Sequence, residues 1–433
     1  MSLEKYCESL AGNLSVGVVG LGYVGLPLAL EASRIYEVIG FDNSKKRINQ
    51  LNGGYDCTGE VDLNQMAECS LSFTSDVQDL SSCDLIVVAV PTPIDEYKVP
   101  DFLPLLDACD EIAPYLRRGS IVVFESTMYP GATQEILAPR IELKSNLILN
   151  VDFFVGYSPE RINPGDKTKG ISDIVKLTSG STDEVARIVD DFYRSFIQAG
   201  THLTNSIKVA ESAKVIENIQ RDVNIALVNE LAVIFRRMDL NIHEILIAAR
   251  TKWNFLDFRP GLVGGHCIGV DPYYLMHSAQ KVGVEPTLIR SARIVNEGAV
   301  DYIFNRILTL IFHRVLSRDS IGQTKILLMG LTFKKNVKDL RNSKSLELYR
   351  LLTKAGLDVN IHDPLADPVE IFYRYETEMV SLGKKIYSAA IILVAHDQYR
   401  AKSLNDYLLL LHESGFIFDV NDILPSHDAV EKM

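Results

Sequence analysis

The chain has 433 residues, with 44 lysines and arginines against 56 aspartates and glutamates and a net charge of -12 at pH 7. That length exceeds one ordinary core and predicts two or three domains, and an apolar share of 47% excludes a disordered chain. The acidic balance excludes general binding to a nucleic-acid backbone, which needs a basic face, and leaves room for a local basic pocket only.

Met1 to Asn13 is mixed polar and has no secretory apolar run. Val16–Val19 and Ile391–Ala395 fall far short of the ~20 apolar residues that span a bilayer, so a soluble cytoplasmic protein is expected. Ser15–Val19 reads as a buried strand, followed by Gly20-Leu21-Gly22-Tyr23-Val24-Gly25, a helical pattern from Leu26 to Ala32, and a second strand, Glu37–Phe41, ending at Asp42. This is the dinucleotide fingerprint in its required strand–helix–strand context. Gly20 permits the tight turn, Gly22 lets backbone approach a pyrophosphate, and Gly25 lets the helix pack closely, its N-terminus facing the phosphates. Asp42 sits where a carboxylate accepts the adenosine ribose hydroxyls and repels a 2'-phosphate, so the expected cofactor is NAD. Arg47, with Lys45 and Lys46, is the nearby positive charge that would offset a phosphate.

Further strands are expected at Asp84–Val90, Ser120–Glu125 and Ile148–Tyr157. Ligands gather at the carboxyl ends of strands in open parallel sheets, which makes Thr92, Thr127 and Glu160 candidate wall residues. Ser206–Arg237 reads as one long helix, with Lys214, Asn218 and Arg221 near one face; that face is either solvated and ion-paired or a pocket floor. Ile242–Ala249 and Pro286–Phe312 are further helices, and Val223–Phe235 is a buried or intersubunit surface. Between them lies Gly264-Gly265-His266-Cys267-Ile268-Gly269-Val270-Asp271, one cysteine in a glycine-rich turn shortly before an aspartate. The other cysteines (Cys7, Cys57, Cys69, Cys83, Cys109) read as free thiols of a reducing compartment. Neither they nor the scattered histidines have metal-ligand spacing, and no metal is expected.

Thr324–Gly330 opens a second strand-to-loop unit, in which Leu331-Thr332-Phe333-Lys334-Lys335 replaces the full fingerprint. A helix at Leu346–Lys354 and strands at Asp358–His362, Ala389–Ala395 and Phe416–Asp419 complete a Rossmann-type domain without close-approach glycines. The fold class is therefore α/β, with two Rossmann-like domains joined by a long helix and a helical middle domain. The expected division is 1–205 for an NAD-binding domain, 206–315 for the helical middle, and 316–433 for a Rossmann-like domain able to take a nucleotide phosphate or uridine moiety.

With these motifs in hand, the chain resembles the UDP-glucose/GDP-mannose dehydrogenase family over nearly its full length. The marks are the glycine loop with Leu26-Pro27, Ser126-Thr127, Ser158-Pro159-Glu160-Arg161, Lys214 with Asn218, the Cys267 turn, and Phe333-Lys334 with Arg341. Pro159 to Gly165 and Thr251 to Phe255 are similar to the bacterial UDP-N-acetylhexosamine 6-dehydrogenases, including the Vi-antigen type. Arg161 and Pro164 stand where the UDP-glucose enzymes have a phenylalanine and a second glutamate, and Arg250 stands where relatives have a small residue. The resemblance implies four-electron oxidation of C6 of UDP-N-acetylglucosamine or UDP-N-acetylgalactosamine to the uronic acid, for bacterial surface polysaccharide and capsule synthesis. UDP-N-acetylmannosamine, UDP-glucose, a two-electron dehydrogenase or a non-enzymatic NAD sensor are the competing readings.

In that chemistry Cys267 attacks the intermediate aldehyde to give a thiohemiacetal, and the resulting thioester yields the acid. Lys214 is either the oxyanion stabiliser or the first-step base, with Asn218 as its neutral partner. Asp271 orients Lys214 or the hydrolytic water, while Glu160 and Thr127 handle the proton or the water. His266 is read as a loop or cofactor contact. The candidate cofactor contacts are Gly20, Gly22, Tyr23, Val24, Gly25, Asp42, Arg47, Thr92 and Thr127. Those for substrate are Glu160, Arg161, Lys214, Asn218, Arg259, Gly264, Lys334 and Arg341, with Arg259 resembling a family arginine that reaches across a homodimer interface.

Overall fold

The computed structural model describes residues 14–61, 71–162, 170–265, 267–315, 324–383 and 386–433. The chain divides into two units, Met1–Glu217 with Tyr273–Val284, and Asn218–Pro272 with Glu285–Met433.

In the first unit, β1 (Ser15–Val19), β2 (Glu37–Phe41), β3 (Leu71–Thr74), β4 (Leu85–Val88), β5 (Ile121–Phe124) and β6 (Phe154–Tyr157) form one sheet in the order β3-β2-β1-β4-β5-β6. All the pairings are parallel, with Val18 opposite Gly40 on one side and Val87 on the other. β4 and β5 are buried at every position, as expected of parallel strands covered on both faces. The connecting helices are α1 (Gly25–Ala32), α2 (Lys45–Asn52), α3 (Leu103–Ile112) and α4 (Ala138–Ser145). The strand order reverses beside β1, and such a switch point opens a crevice at the strand carboxyl ends. A small pair, β7 (Lys176–Thr178) and β8 (Thr201–Leu203), flanks α5 (Asp183–Arg194), whose start is fixed by the Thr182 hydroxyl accepting the Val185 N–H.

The strand expected at Ile148–Tyr157 begins only at Phe154. Asn150 adopts φ 60 and the Asp152 N–H folds back on the Ile148 carbonyl at 2.8 Å, so the apolar residues before Phe154 form a turn.

The second unit contains most of the long helix α6 (Ile207–Arg237), then α7 (Ile242–Ala249). α8 (Asp271–Lys281) belongs from Tyr273 onward to the first unit, where the Tyr274 hydroxyl donates to the Pro93 carbonyl at 3.0 Å. After α9 (Thr287–Leu310), strands β9 (Lys325–Met329), β10 (Asp358–His362), β11 (Tyr387–Ile392), β12 (Leu411–Asp419) and β13 (Val430–Lys432) form a parallel sheet in the order β10-β9-β11-β12-β13. Its period-two alternation is plain. Ile326 and Leu328 pack with Ile303 and Ile307 of α9, whereas Leu327 and Met329 pack with Tyr399 and Tyr407. Helices α10 (Lys344–Lys354) and α11 (Pro368–Tyr375) follow the first two strands.

The two sheets share one local device. The Gly20 N–H donates to the Phe41 carbonyl at 2.9 Å and the Leu21 N–H to Asp42 Oδ2 at 3.0 Å. Gly330 donates to the His362 carbonyl at 2.9 Å and Leu331 to Asp363 Oδ2 at 2.6 Å. The expectation that the second unit lacks a close-approach glycine is therefore corrected: a Cβ on Gly330 would lie 2.6 Å from the Val394 carbonyl oxygen.

Candidate active site

The first sheet delivers the loop Gly20–Gly25, Asp42, Thr92, Thr127 and Glu160 just beyond the carboxyl ends of β1, β2, β4, β5 and β6 respectively. A Cβ on Gly25 would sit 1.9 Å from the Gly20 carbonyl oxygen, so α1 can approach β1 only at a glycine, whereas Gly22 has nothing within 4 Å of its Cβ position. Val24 provides no side-chain cap for α1. An uncapped helix N-terminus beneath an open glycine loop fits a pyrophosphate. Tyr23, Val24, Thr92 and Thr127 are half-buried along this edge. Asp42 spends lone pairs on Leu21 and Ser44 N–H groups at 3.0 and 2.9 Å, which fixes its carboxylate while leaving acceptor capacity for ribose hydroxyls. Arg47, one of the expected cofactor contacts, is held against the glycine loop. It is buried, its Nε donates to the Leu21 carbonyl at 2.8 Å, and its charge is paired with Asp56 at 2.8 Å, so it braces the glycine loop from behind.

Glu160 stands in front of a buried cluster that sequence reasoning missed. Its Oε1 accepts the Arg161 N–H at 2.6 Å and the Ile162 N–H. Its Oε2 lies 3.5 Å from Lys176 Nζ, which also donates to Glu125 Oε2 at 2.8 Å. The Tyr193 hydroxyl donates to Glu125 Oε1 at 2.6 Å. Burial pushes the Glu125 carboxyl up, Lys176 counteracts this, and Glu160 adds to it; burial first, then the Glu125 charge, drives the Tyr193 phenol well up. The available signal was a lysine inside the apolar run Ile174-Val175-Lys176-Leu177, since such lysines are buried only when paired. Arg161 reaches Glu217 at 2.7 Å and the Val175 carbonyl at 2.7 Å. Pro164 and His266 lie outside the described residues.

In the second unit, the Cys267 carbonyl accepts the Val270 and Asp271 N–H groups at 3.0 and 2.8 Å, making a tight turn that leaves the cysteine half-buried. Asp271 is fully buried and accepts Asn218 Nδ2 at 2.5 Å. Asn218 is buried here, and Lys214, one turn earlier on α6 and in the first unit, is buried as well. The two glycines before Cys267 are required by distant residues: a Cβ on Gly264 would lie 2.6 Å from the Asn342 carbonyl oxygen, and one on Gly265 would lie 2.6 Å from the Phe333 ring. Gly261 is held on both sides by Asn229, which donates to its carbonyl at 3.1 Å and accepts its N–H at 2.9 Å.

Gly261, Leu262 and Gly264 form one wall of a cavity of about 240 Å³, whose basic residues are Lys334, Lys335, Lys344 and Arg400. This is the local basic pocket the acidic chain left room for. Lys344 and Arg400 escaped the sequence reading, because each follows its strand at a distance and reads as helix surface. Arg341 is half-buried and ion-paired to Asp339 at 2.7 Å, outside the cavity wall. The Arg259 side chain is 48% exposed and lies 3.7 Å from Asp257.

Comparison with known proteins decides the family. The NAD binding domain of the UDP-glucose/GDP-mannose dehydrogenase family matches residues 14–197, its central domain residues 208–298, and its UDP binding domain residues 327–426. The chain belongs to this family. It is an NAD-dependent nucleotide-sugar dehydrogenase. A UDP-N-acetyl-D-glucosamine 6-dehydrogenase from Pseudomonas aeruginosa is 48% identical, over 95% of this chain and 97% of the relative. One of the same name from Salmonella typhi is 43% identical, over 96% and 98%. The structure of a UDP-D-ManNAc dehydrogenase from Pyrococcus horikoshii superposes with a TM-score of 0.86 at 28% identity, covering 97% of this chain and 99% of that one. Among the described residues no helix is long and apolar enough to cross a membrane.

Proposed function

We propose that this dehydrogenase oxidises C6 of UDP-N-acetylglucosamine, or of its galactose epimer, from alcohol to carboxylate. The observation that carries the reading is the Cys267 turn: its leading glycine, Gly264, is itself part of the basic cavity wall, so the thiol is carried on the loop that would hold the nucleotide diphosphate. The 48% and 43% identical relatives supply the sugar. NAD, when bound on the Gly20–Gly25 loop and Asp42, supplies the acceptor for both hydrides, the sum being alcohol, water and two NAD giving carboxylate, two NADH and three protons.

The chain's own residues do the remaining work. An aldehyde carbon is trigonal and releases hydride poorly; addition of Cys267 Sγ to that carbon makes it tetrahedral, and the sulfur later leaves when water takes its place. Asn218 holds Asp271 and thereby fixes the turn that bears the sulfur. Lys214 stabilises the developing oxyanion, and Glu160 with Thr127 moves a proton to or from substrate or water. Lys334, with Lys335 and Arg400, holds the diphosphate, while Tyr23, Val24 and Thr92 line the cofactor edge. We divide the work as 1–205 for NAD, 206–315 for dimerisation and 316–433 for the UDP-sugar, and set the reaction in the cytoplasm. A homodimer is supported by exposed apolar residues on and after α6, Leu227, Ile234, Met238 and Trp253; Arg259 then completes the partner's substrate site.

The test is a panel of UDP-sugars with NADH counted by absorbance and the product weighed. Two NADH per UDP-N-acetylhexosamine and an acid product are expected, with Cys267→Ser losing acid formation. One NADH and an aldehyde from the native protein, or undiminished acid from Cys267→Ser, refutes the mechanism.

A further inference from the structure

We infer that Lys176, held between Glu125 and Glu160 and backed by Tyr193, is a positioning residue that keeps the Glu160 carboxyl competent in both of its protonation states. This rests on the reading above, in which Glu160 does acid–base work. Lys176 is 3% exposed and Glu125 1%. An isolated buried ion pair needs one carboxylate for one ammonium, and Glu125 at 2.8 Å already supplies it. Glu160 Oε2, at 3.5 Å from the same nitrogen, is a second carboxylate on a single cation.

That surplus has a consequence for proton transfer. When Glu160 is ionised, the ammonium is shared between two carboxylates. When Glu160 takes a proton, Lys176 and Glu125 remain a complete neutral pair. With Glu160 protonated the buried set is neutral. With Glu160 ionised it carries one net negative charge, shared across the ammonium and placed on the Glu160 side chain, which is 13% exposed and not sealed in the interior. Neither state therefore leaves a buried charge without a partner, which would be costly. The backbone fixes the geometry: the Arg161 and Ile162 N–H groups hold Oε1, leaving Oε2 as the oxygen that answers to the ammonium. The Glu160 N–H donates to the Glu125 carbonyl at 3.3 Å, so the two carboxylate-bearing loops are tied together. Tyr193 donates to Glu125 and lies under the ammonium, 5.1 Å from nitrogen to ring centre. Among the described residues, the neighbouring Arg161 is paired with Glu217 at 2.7 Å.

The experiment measures kcat and KM against pH for the native enzyme, Glu160→Gln, Lys176→Met, Lys176→Arg and Tyr193→Phe, with thermal melts and NAD titrations alongside. Loss of the ammonium lowers kcat by about tenfold or more, with KM changing less than about threefold. Lys176→Arg restores kcat. Tyr193→Phe makes Glu125 draw harder on Lys176 and lowers kcat by a smaller amount; it decides the matter should Lys176→Met not fold. A folded Lys176→Met with native kcat, or equal losses in Lys176→Met and Lys176→Arg, overturns the inference while a crippled Glu160→Gln keeps the role of Glu160. Full turnover by Glu160→Gln overturns both.

Discussion

Gly25→Ala tests whether the glycine loop acts by close packing or merely by flexibility. The new methyl would lie 1.9 Å from the Gly20 carbonyl oxygen and 3.3 Å from Ala89 Cβ. To reach an ordinary contact of ~3.5 Å, α1 and the loop must separate by roughly 1.6 Å. Nothing flexible can yield, because the obstructing atom is backbone. Overpacking of this kind typically costs about 1–3 kcal/mol, against a gain of about 0.5–1 kcal/mol from alanine's better helix propensity. The displaced atoms are those that would contact the pyrophosphate. The helix gain acts on folding and does not return the loop to its place, so at about 1.4 kcal/mol per tenfold of affinity a strain of about 1–3 kcal/mol carried by the loop should weaken NAD binding roughly 5- to 100-fold. UDP affinity should change by less than about twofold, since the basic cavity is built wholly from the other unit. Calorimetric titration of each ligand separates the two effects. Gly298→Ala on α9, where nothing lies within 4 Å of the added methyl, is the control and should raise stability by about 0.5–1 kcal/mol. Native NAD affinity in a folded Gly25→Ala protein would refute the packing argument.

Three further outcomes follow from the same geometry. Asn229→Ala removes both side-chain bonds to Gly261 and one to Asn296; it should lower unfolding free energy by about 1–3 kcal/mol and weaken UDP binding, measured by urea melts and titration. Mixing inactive Cys267→Ala and Arg259→Ala proteins under proven subunit exchange should recover activity, and no recovery argues against a shared site. Asp363 is raised by burial but held below its ordinary value by His396 and the Leu331 and Leu365 N–H groups. Its contribution is therefore present above the unfolded aspartate range and lost as pH falls through the folded value. Asp363→Asn should melt lower at pH 7 and show a shallower acid decline by calorimetry; parallel acid curves would contradict this.

What the sequence displayed and what it hid differ by range. β1, the glycine loop, β2 and Asp42 were legible because their partners lie within one strand–helix–strand unit and each local signal agrees with the next. Glu160 was legible by its place after a strand, but Lys176 drew no notice in the sequence, since its carboxylate partners come from two other loops. The bonds of Arg47 to Asp56 and the Leu21 carbonyl could not be inferred from its position, because they join separate turns of the chain. The Cys267 turn illustrates the limit most sharply. Its glycines look like local turn chemistry, yet Gly264 and Gly265 are required by Asn342 and Phe333, far along the chain. A side chain at either position would lift the cysteine loop off the Phe333–Lys334 wall. The motif thus records a long-range packing constraint in residues that seem to describe only a bend, and its chemistry depends on the second sheet being folded beneath it.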